Sequence, residues 1–170
     1  MARAQGLRIY RRIASAIAPR VNIAEATSAD MQVVQEYLAP GYPHPPYAPN
    51  PAVTDYVARA KGKVVGFTQL IRHPPEHYPY VGYWSFSTVT WPRYRGMGIA
   101  EQLLREVITR AAHEGASELL AQVLENNLAS LGLYHKLGFE VIEYPPLEET
   151  LRDQAARTGV RTLVLRRRLP

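Results

Sequence analysis

No cysteine occurs among the 170 residues. That single absence excludes disulfide frameworks, thiolate zinc sites, iron–sulfur clusters and cysteine nucleophiles. No apolar run reaches the ~18 residues a membrane-spanning helix requires. Compositional bias is missing too: 46% apolar and 21% charged residues are ordinary globular values, which exclude a disordered or collagen-like chain. Fourteen prolines speak against long uninterrupted helices. The length is that of one domain, able to bury roughly two-thirds of its unfolded surface without a disulfide or metal.

The net charge of +5 invites a nucleic-acid reading, but its distribution argues otherwise. Residues 1–20 hold Arg3, Arg8, Arg11, Arg12 and Arg20 with no acid. Residues 157–170 hold Arg157, Arg161, Arg166, Arg167 and Arg168, again with no acid. The remaining ten basic and fifteen acidic residues leave the 21–156 body at −5. The chain reads as an acidic body with two basic ends, and a nucleic-acid partner is disfavoured.

Residues 1–20 form a basic N-terminal extension, with Leu7, Tyr10, Ile13, Ala14 and Ile17 at helical spacing. It reads either as a frayed extension or as a helix for a membrane surface or partner. No secretory apolar stretch is present, and a cytoplasmic location is expected. Residues 21–170 are expected to form a single domain.

Val21–Glu25 alternates as a strand, and Thr27-Ser-Ala-Asp30 is a capping box opening a helix with Met31, Val34 and Leu38 on its apolar face. Pro40-Gly41 stops it, and 40–51 is proline-dense loop. Asp55–Ala60 and Lys63–Arg72 read as a hairpin around Lys61-Gly62. After a second proline-rich loop at 73–80, Val81–Thr90 is an aromatic, β-branched strand. A helix from Gly98 to Glu114 carries the stripe Ile99, Leu103, Leu104, Val107, Ile108 and Ala111, ended by Gly115. Strand Glu118–Leu124, a helix capped at Asn126-Asn127 and closed by Gly138, strand Phe139–Tyr144, helix Leu147–Ala156 and strand Val160–Arg167 complete the chain. The order implies an α/β fold with a mixed, mostly antiparallel central sheet and helices on both faces.

The chemistry concentrates where the aromatic strand enters its helix: Ser87-Thr-Val-Thr-Trp-Pro-Arg-Tyr-Arg-Gly-Met-Gly-Ile-Ala100. Glycine lets an anion approach the main chain, and first-turn amides lie at the positive end of the helix dipole. Such a turn suits a phosphate or pyrophosphate, with Arg93 and Arg95 at the rim. A P-loop is a weak match because no lysine follows the glycines, and a dinucleotide fingerprint is weak because its last glycine position is Glu101.

Arg93-Tyr-Arg-Gly96-Met-Gly98 matches [QR]-x-x-G-x-[GA], the signature of the GNAT superfamily of acyl-coenzyme A-dependent N-acetyltransferases. Asn127-Leu-Ala-Ser130-Leu-Gly-Leu-Tyr134-His-Lys-Leu-Gly138-Phe139 resembles that family's N-x-x-[AS]-x-x-L-Y-x-K-L-G-F block, at the expected distance. The resemblance covers about residues 21–144. It implies a GNAT-like fold and acetyl-CoA as acyl donor, with no metal. The main chain of Thr88, Val89 and Thr90 would pair with the pantetheine arm. The amides of Arg95, Gly96, Met97, Gly98, Ile99 and Ala100 would hold the pyrophosphate. Asn127 would contact the coenzyme, and the small Ser130 would let the arm pass. Tyr134 matches the tyrosine usually assigned as general acid toward the departing thiolate; a packed core tyrosine is the structural alternative.

The activity implied is direct attack of a primary amine on the acetyl-CoA thioester in a ternary complex. A transferase for a longer acyl-CoA and a non-catalytic acyl-CoA-binding or regulatory module are the alternatives. Some relatives carry a glutamate just ahead of the valine that is Val123 here, but this chain has Gln122, which is no useful base. Glu76, His73, His77, His44 or a water chain remain candidates. The five histidines offer no metal site: in His73-Pro-Pro-Glu-His77 the prolines forbid the helix a zinc motif needs.

Eight of eleven tyrosines lie between residues 37 and 94, near the two proline-rich loops. Proline stiffens a loop, and tyrosine offers an apolar face with a polar tip. Tyr42, His44, Tyr47, His77 and Tyr83 are therefore expected to shape the pocket for a small-molecule or peptide amine. A homodimer is compatible with the sequence.

Overall fold

The computed structural model describes residues 20–41, 44 and 46–170. The readings made for residues 1–19 and for Tyr42 lie outside the described residues. Seven strands form one sheet in the order β1-β2-β3-β4-β5-β7-β6. They are β1 (Val21–Glu25), β2 (Val53–Ala60), β3 (Lys63–His73), β4 (Gly82–Thr90), β5 (Glu118–Leu124), β6 (Glu140–Ile142) and β7 (Thr162–Arg168). Every neighbouring pair is antiparallel except β4 with β5.

The hairpin turn at Lys61-Gly62 has both residues at positive φ, 49° and 76°. Positive φ at both central residues is the geometry whose twist suits a two-residue hairpin. Helix α1 (Ser28–Leu38) begins with the anticipated capping box: the Asp30 amide donates to Thr27 Oγ1 at 3.2 Å, and the Thr27 amide donates to Asp30 Oδ2 at 2.7 Å. Its buried Met31 and Val34 meet Val57 and Phe67 on one sheet face.

Helix α2 (Ile99–His113) crosses the opposite face, burying Ile99, Leu103, Leu104, Val107, Ile108 and Ala111. These are the residues of the stripe, because their 3.6-residue period keeps them on one side. Helix α3 (Leu128–Lys136) joins α2 on that face through Tyr134, Leu137 and Phe139. Helix α4 (Glu148–Thr158) lies between β6 and β7 in sequence, and Leu151 packs on a third cluster of Trp84, Leu120, Leu147 and Val164.

The strand expected over Phe139–Tyr144 pairs only from Glu140 to Ile142. Phe139 turns inward to meet Tyr134 edge-on at 4.9 Å, and Pro145 opens a 3-10 turn. The C-terminal arginines are largely engaged. Arg161 pairs with Glu125 at 2.7 Å, Arg166 with Glu140 at 2.8 Å, and Arg167 donates to the Leu137 carbonyl at the end of α3. Among the described residues no helix is long and apolar enough to cross a membrane.

Candidate active site

The sheet divides between β4 and β5. Only Trp84 with Leu120 and Ser85 with Ala121 are paired, so the β5-facing main chain of Phe86–Thr90 has no strand partner. A bulge accompanies the parting. Between the Gln69–Phe86 and Phe67–Val89 pairs, β4 holds one residue more than β3, and Ser87 there has φ 51°. Bulges bend a strand and re-aim its next residues.

A groove of about 920 Å³ occupies this fork on the α2–α3 face. Thr88, Val89, Thr90, Arg95, Gly96, Gly98, Ile99, Ala100, Asn127 and Ser130 all line it. Met97 does not line it; its side chain packs against the core. Gly96 and Gly98 both have φ of 77°, and a Cβ on either would meet nothing within 4 Å. Glycine is thus required by the left-handed backbone, and the space beyond it is open.

Helix α2 starts at Gly98 without a side-chain cap, whereas Thr27 caps α1 and Asn127 Oδ1 accepts from the Ser130 amide at 3.1 Å to cap α3. The first-turn amides of α2 therefore lack both intrahelical and side-chain partners. The Thr90 hydroxyl on the groove wall is buried with no hydrogen-bond partner. Arg93 and Arg95 are exposed, and Arg95 Nε donates to the Thr90 carbonyl at 3.2 Å. Glu101 also lines the groove, but Arg105 at 2.8 Å and Lys136 occupy its carboxylate. Hydrogen bonds from Lys136 and then Arg105 hold that carboxyl below the usual range.

Tyr134 is 6% exposed and lies behind the groove rather than on its wall. Its hydroxyl is 3.2 Å from Ser85 Oγ, beside the last β4–β5 pair. Burial pushes the phenol above its ordinary value, against hydrogen bonds with Ser85 and Thr88 that lower it. Ser85, 3% exposed, escaped the sequence reading. Its only signal was a hydroxyl inside the aromatic run Tyr83–Phe86.

The residues expected around the acceptor are dispersed. His44 Nε2 lies 3.0 Å from the Ala39 carbonyl. The Tyr47 hydroxyl donates to Asp55 Oδ2 at 2.6 Å; burial, reinforced by Asp55, pushes that phenol up to about 12. His77 Nδ1 is 3.2 Å from His73 Nδ1 in the second loop. Burial, and then His77, lowers the His73 pKa. Tyr83 packs on the α2 face, away from Tyr47. No cluster of three or more metal-ligating side chains exists among the described residues.

The acetyltransferase (GNAT) family model matches residues 22–139. An L-methionine sulfoximine/L-methionine sulfone acetyltransferase of Pseudomonas aeruginosa is 43% identical over 47 residues, 28% of this chain and 27% of that protein. An L-2,4-diaminobutyric acid acetyltransferase of Halalkalibacterium halodurans is 34% identical over 89 residues, 52% of this chain and 46% of that protein. The chain thus spans between about a quarter and half the length of these curated relatives. Among solved structures, a GNAT-family acetyltransferase from Streptococcus pneumoniae superposes with a TM-score of 0.65 at 17% identity, covering 89% of this chain and 100% of that one. The N-acetylglutamate synthase from Neisseria gonorrhoeae, complexed with coenzyme A and N-acetyl-glutamate, gives 0.64 at 22% identity over 89% of this chain and 36% of that one. These likenesses establish the shared fold, and the family match covers most of the chain. The protein belongs to the GNAT acetyltransferase family.

Proposed function

We propose that the protein transfers an acetyl group from acetyl-CoA to a primary amine by direct attack in a ternary complex. The observation that carries this reading is the coincidence of an open strand fork, an uncapped helix start and a buried phenol at one place. The residues present fit the coenzyme: the β5-facing main chain of Phe86–Thr90 is free of strand partners, and Thr90 Oγ1 is an orphaned buried polar atom on the groove wall.

Acetyl-CoA supplies an activated thioester, whose carbonyl an amine attacks. In this proposal Thr88, Val89 and Thr90 present main-chain groups to an extended amide-bearing arm, as a neighbouring strand would. The amides from Arg95 to Ala100 bind the pyrophosphate, with the dipole of α2 favouring negative charge there. Asn127 Oδ1 is committed to capping α3, so its amide nitrogen is the part left for the ligand. Ser130 keeps the α3 wall low.

Tyr134 holds a proton at its hydroxyl. A buried phenol pushed above its ordinary value stays neutral near pH 7, and a neutral phenol is a hydrogen-bond donor. Its task is to donate to the departing sulfur; full proton transfer to a thiolate is uphill for a phenol this weak. Ser85, able to accept from or donate to Tyr134, orients it. Glu101 is the one carboxylate lining the groove among the described residues, and its ion pairs remove it as a base. The reading therefore favours acceptors that deprotonate readily, such as peptide α-amines with a pKa of about 7.7. The relatives named for acetylating methionine derivatives and diaminobutyric acid point to small amino-acid-like amines.

Tyr134→Phe tests the mechanism. Turnover is expected to fall by about 10²-fold or more, as for loss of a positioned acid, with coenzyme affinity nearly intact. Unchanged turnover in Tyr134→Phe removes this side chain from the chemistry. Tight coenzyme binding without turnover of any amine by the wild-type protein would instead favour the non-catalytic binding module.

A further inference from the structure

The sheet face opposite the coenzyme groove carries a row of side chains, two of them with unused hydrogen-bonding capacity. Asp55, Gln69 and Phe86 are cross-strand neighbours on β2, β3 and β4. Gln122 stands next in the row on β5. It follows Ala121, the last residue β5 pairs with β4, and shares its side of the strand with Leu120. The row therefore crosses the fork at its closed end, just where the acetyl group of a groove-bound donor would lie. A coenzyme filling the groove on the α2–α3 face leaves this opposite face as the approach for the second substrate.

Three features of the row point to a ligand. Gln122 Nε2 is buried without any hydrogen-bond partner. A buried amide donor left unmade is costly, and an apolar residue would serve a purely structural position better. Gln69 Nε2 donates to Asp55 Oδ1 at 2.7 Å, while Tyr47 holds the other carboxylate oxygen at 2.6 Å. An ionised carboxylate only accepts, so Asp55 dictates which end of the Gln69 amide faces it and leaves Gln69 Oε1 as a free acceptor. Between the two amides, Phe86 is 55% exposed, an apolar platform at the fork.

We propose that Gln69 and Gln122 clamp the acceptor across Phe86, with Gln69 Oε1 accepting from its amine N–H and Gln122 Nε2 donating to a nearby carboxylate or carbonyl oxygen. The clamp selects an amine that carries such an oxygen on the adjacent carbon, the chemistry of a free amino acid or a peptide N-terminus, over a plain alkylamine. Asp55 is a positioning residue that acts through Gln69. The proposal rests on the transferase reading and deepens it by naming what recognises the acceptor.

The test uses matched pairs with acetyl-CoA: L-alanine and ethylamine, L-leucine and isoamylamine, L-phenylalanine and phenethylamine. The dipeptide phenylalanyl-glycine, as the third arm, separates a peptide carbonyl from a free carboxylate. The wild-type protein is expected to prefer the oxygen-bearing member of each pair by at least about tenfold in kcat/KM calculated on the free-amine concentration, which removes the difference in basicity within a pair, since a site built to hydrogen-bond a group rejects the analogue lacking it. Gln122→Leu should erase that preference mainly through KM, with coenzyme affinity and thermal stability undiminished. Gln122→Glu, which places an acceptor against the substrate's oxygen, should reverse the preference. Gln69→Leu should raise KM for both members alike, and Asp55→Asn should do so in part.

Equal kcat/KM within the pairs for the wild type, or a preference that survives Gln122→Leu, would overturn the clamp while leaving the transferase reading standing. Absence of turnover with every amine would count against the transferase reading instead. The clamp is then read from the Gln122 side-chain amide resonance of the coenzyme-bound protein. A shift with L-phenylalanine but not phenethylamine supports it, and no shift with either overturns it.

Discussion

Gly66 on β3 lies beneath α2 at the point where that helix opens the groove proposed for the coenzyme. A Cβ there would stand 3.1 Å from Ile99 Cγ2, 3.1 Å from the Val89 carbonyl oxygen and 3.2 Å from Leu103 Cδ1. Leu103 and Ile99 are buried, and the Val89 oxygen belongs to β4, the strand wall of the groove, so relief requires α2 and β4 both to shift away from β3. Overpacking of this kind costs about 1–3 kcal/mol, against an unfolded-state gain of about 0.4–1 kcal/mol for replacing glycine by alanine. Gly66→Ala is therefore expected to destabilise by about 1–2 kcal/mol, a fall of roughly 2–8 °C in Tm for a chain of this size. Because Ile99 is the first residue of α2, the same displacement disturbs the amides assigned to the pyrophosphate. Thermal unfolding and calorimetric titration with coenzyme A read the two effects. A Gly66→Ala protein with unchanged or raised Tm would refute the close-approach argument. Lowered Tm with unaltered coenzyme affinity would detach α2 placement from binding.

Gly98→Ala should weaken coenzyme binding by at least about tenfold, because φ of 77° strains an L-residue and the added methyl enters the open groove. Gly159→Ala, at φ 73° at the C-terminal end of α4 and outside the groove lining, should cost similar stability yet leave coenzyme affinity unchanged, and equal binding losses in both would assign the effect to general destabilisation. Acid stability should depend on Glu114. The hydrogen bond from Arg72 foremost, and Arg110 next, holds its carboxyl down to about 2 from an ordinary 4.5, against burial. A depressed folded-state pKa contributes stability that is complete above about pH 4.5 and lost as pH falls toward 2, at most about 3 kcal/mol. Glu114→Gln should flatten that acid limb in denaturant titrations, and a wild-type limb retained in the variant would contradict it.

What was legible in the sequence was whatever local periodicity or capping chemistry decides. The stripe from Ile99 to Ala111, the Thr27–Asp30 box, the Lys61-Gly62 turn and the glycines at 96 and 98 each carry their geometry in neighbouring residues. Features set by strand register were hidden. The parting of β4 from β5 was implied only by the family resemblance, and its start after Ser85, the bulge at Ser87 and the Asp55–Gln69–Phe86 row depend on which residues face one another across strands. The same holds for Ser85 beside Tyr134, 49 positions apart in the chain. Gly66 looked like any strand glycine until the helix above it was in place. The tyrosine-rich loops suggested one pocket, but Tyr47 is bound to Asp55 while Tyr83 packs on the other face, because residue type says nothing of the side of a sheet.

The most direct measurement is amine-dependent release of free thiol from acetyl-CoA by the wild-type protein, followed alongside the acetylated amine. Thiol and acetylated amine should appear in equal amounts, with no thiol release above background without amine and a steep loss in Tyr134→Phe. Saturable coenzyme binding with no thiol release for any primary amine would contradict direct transfer.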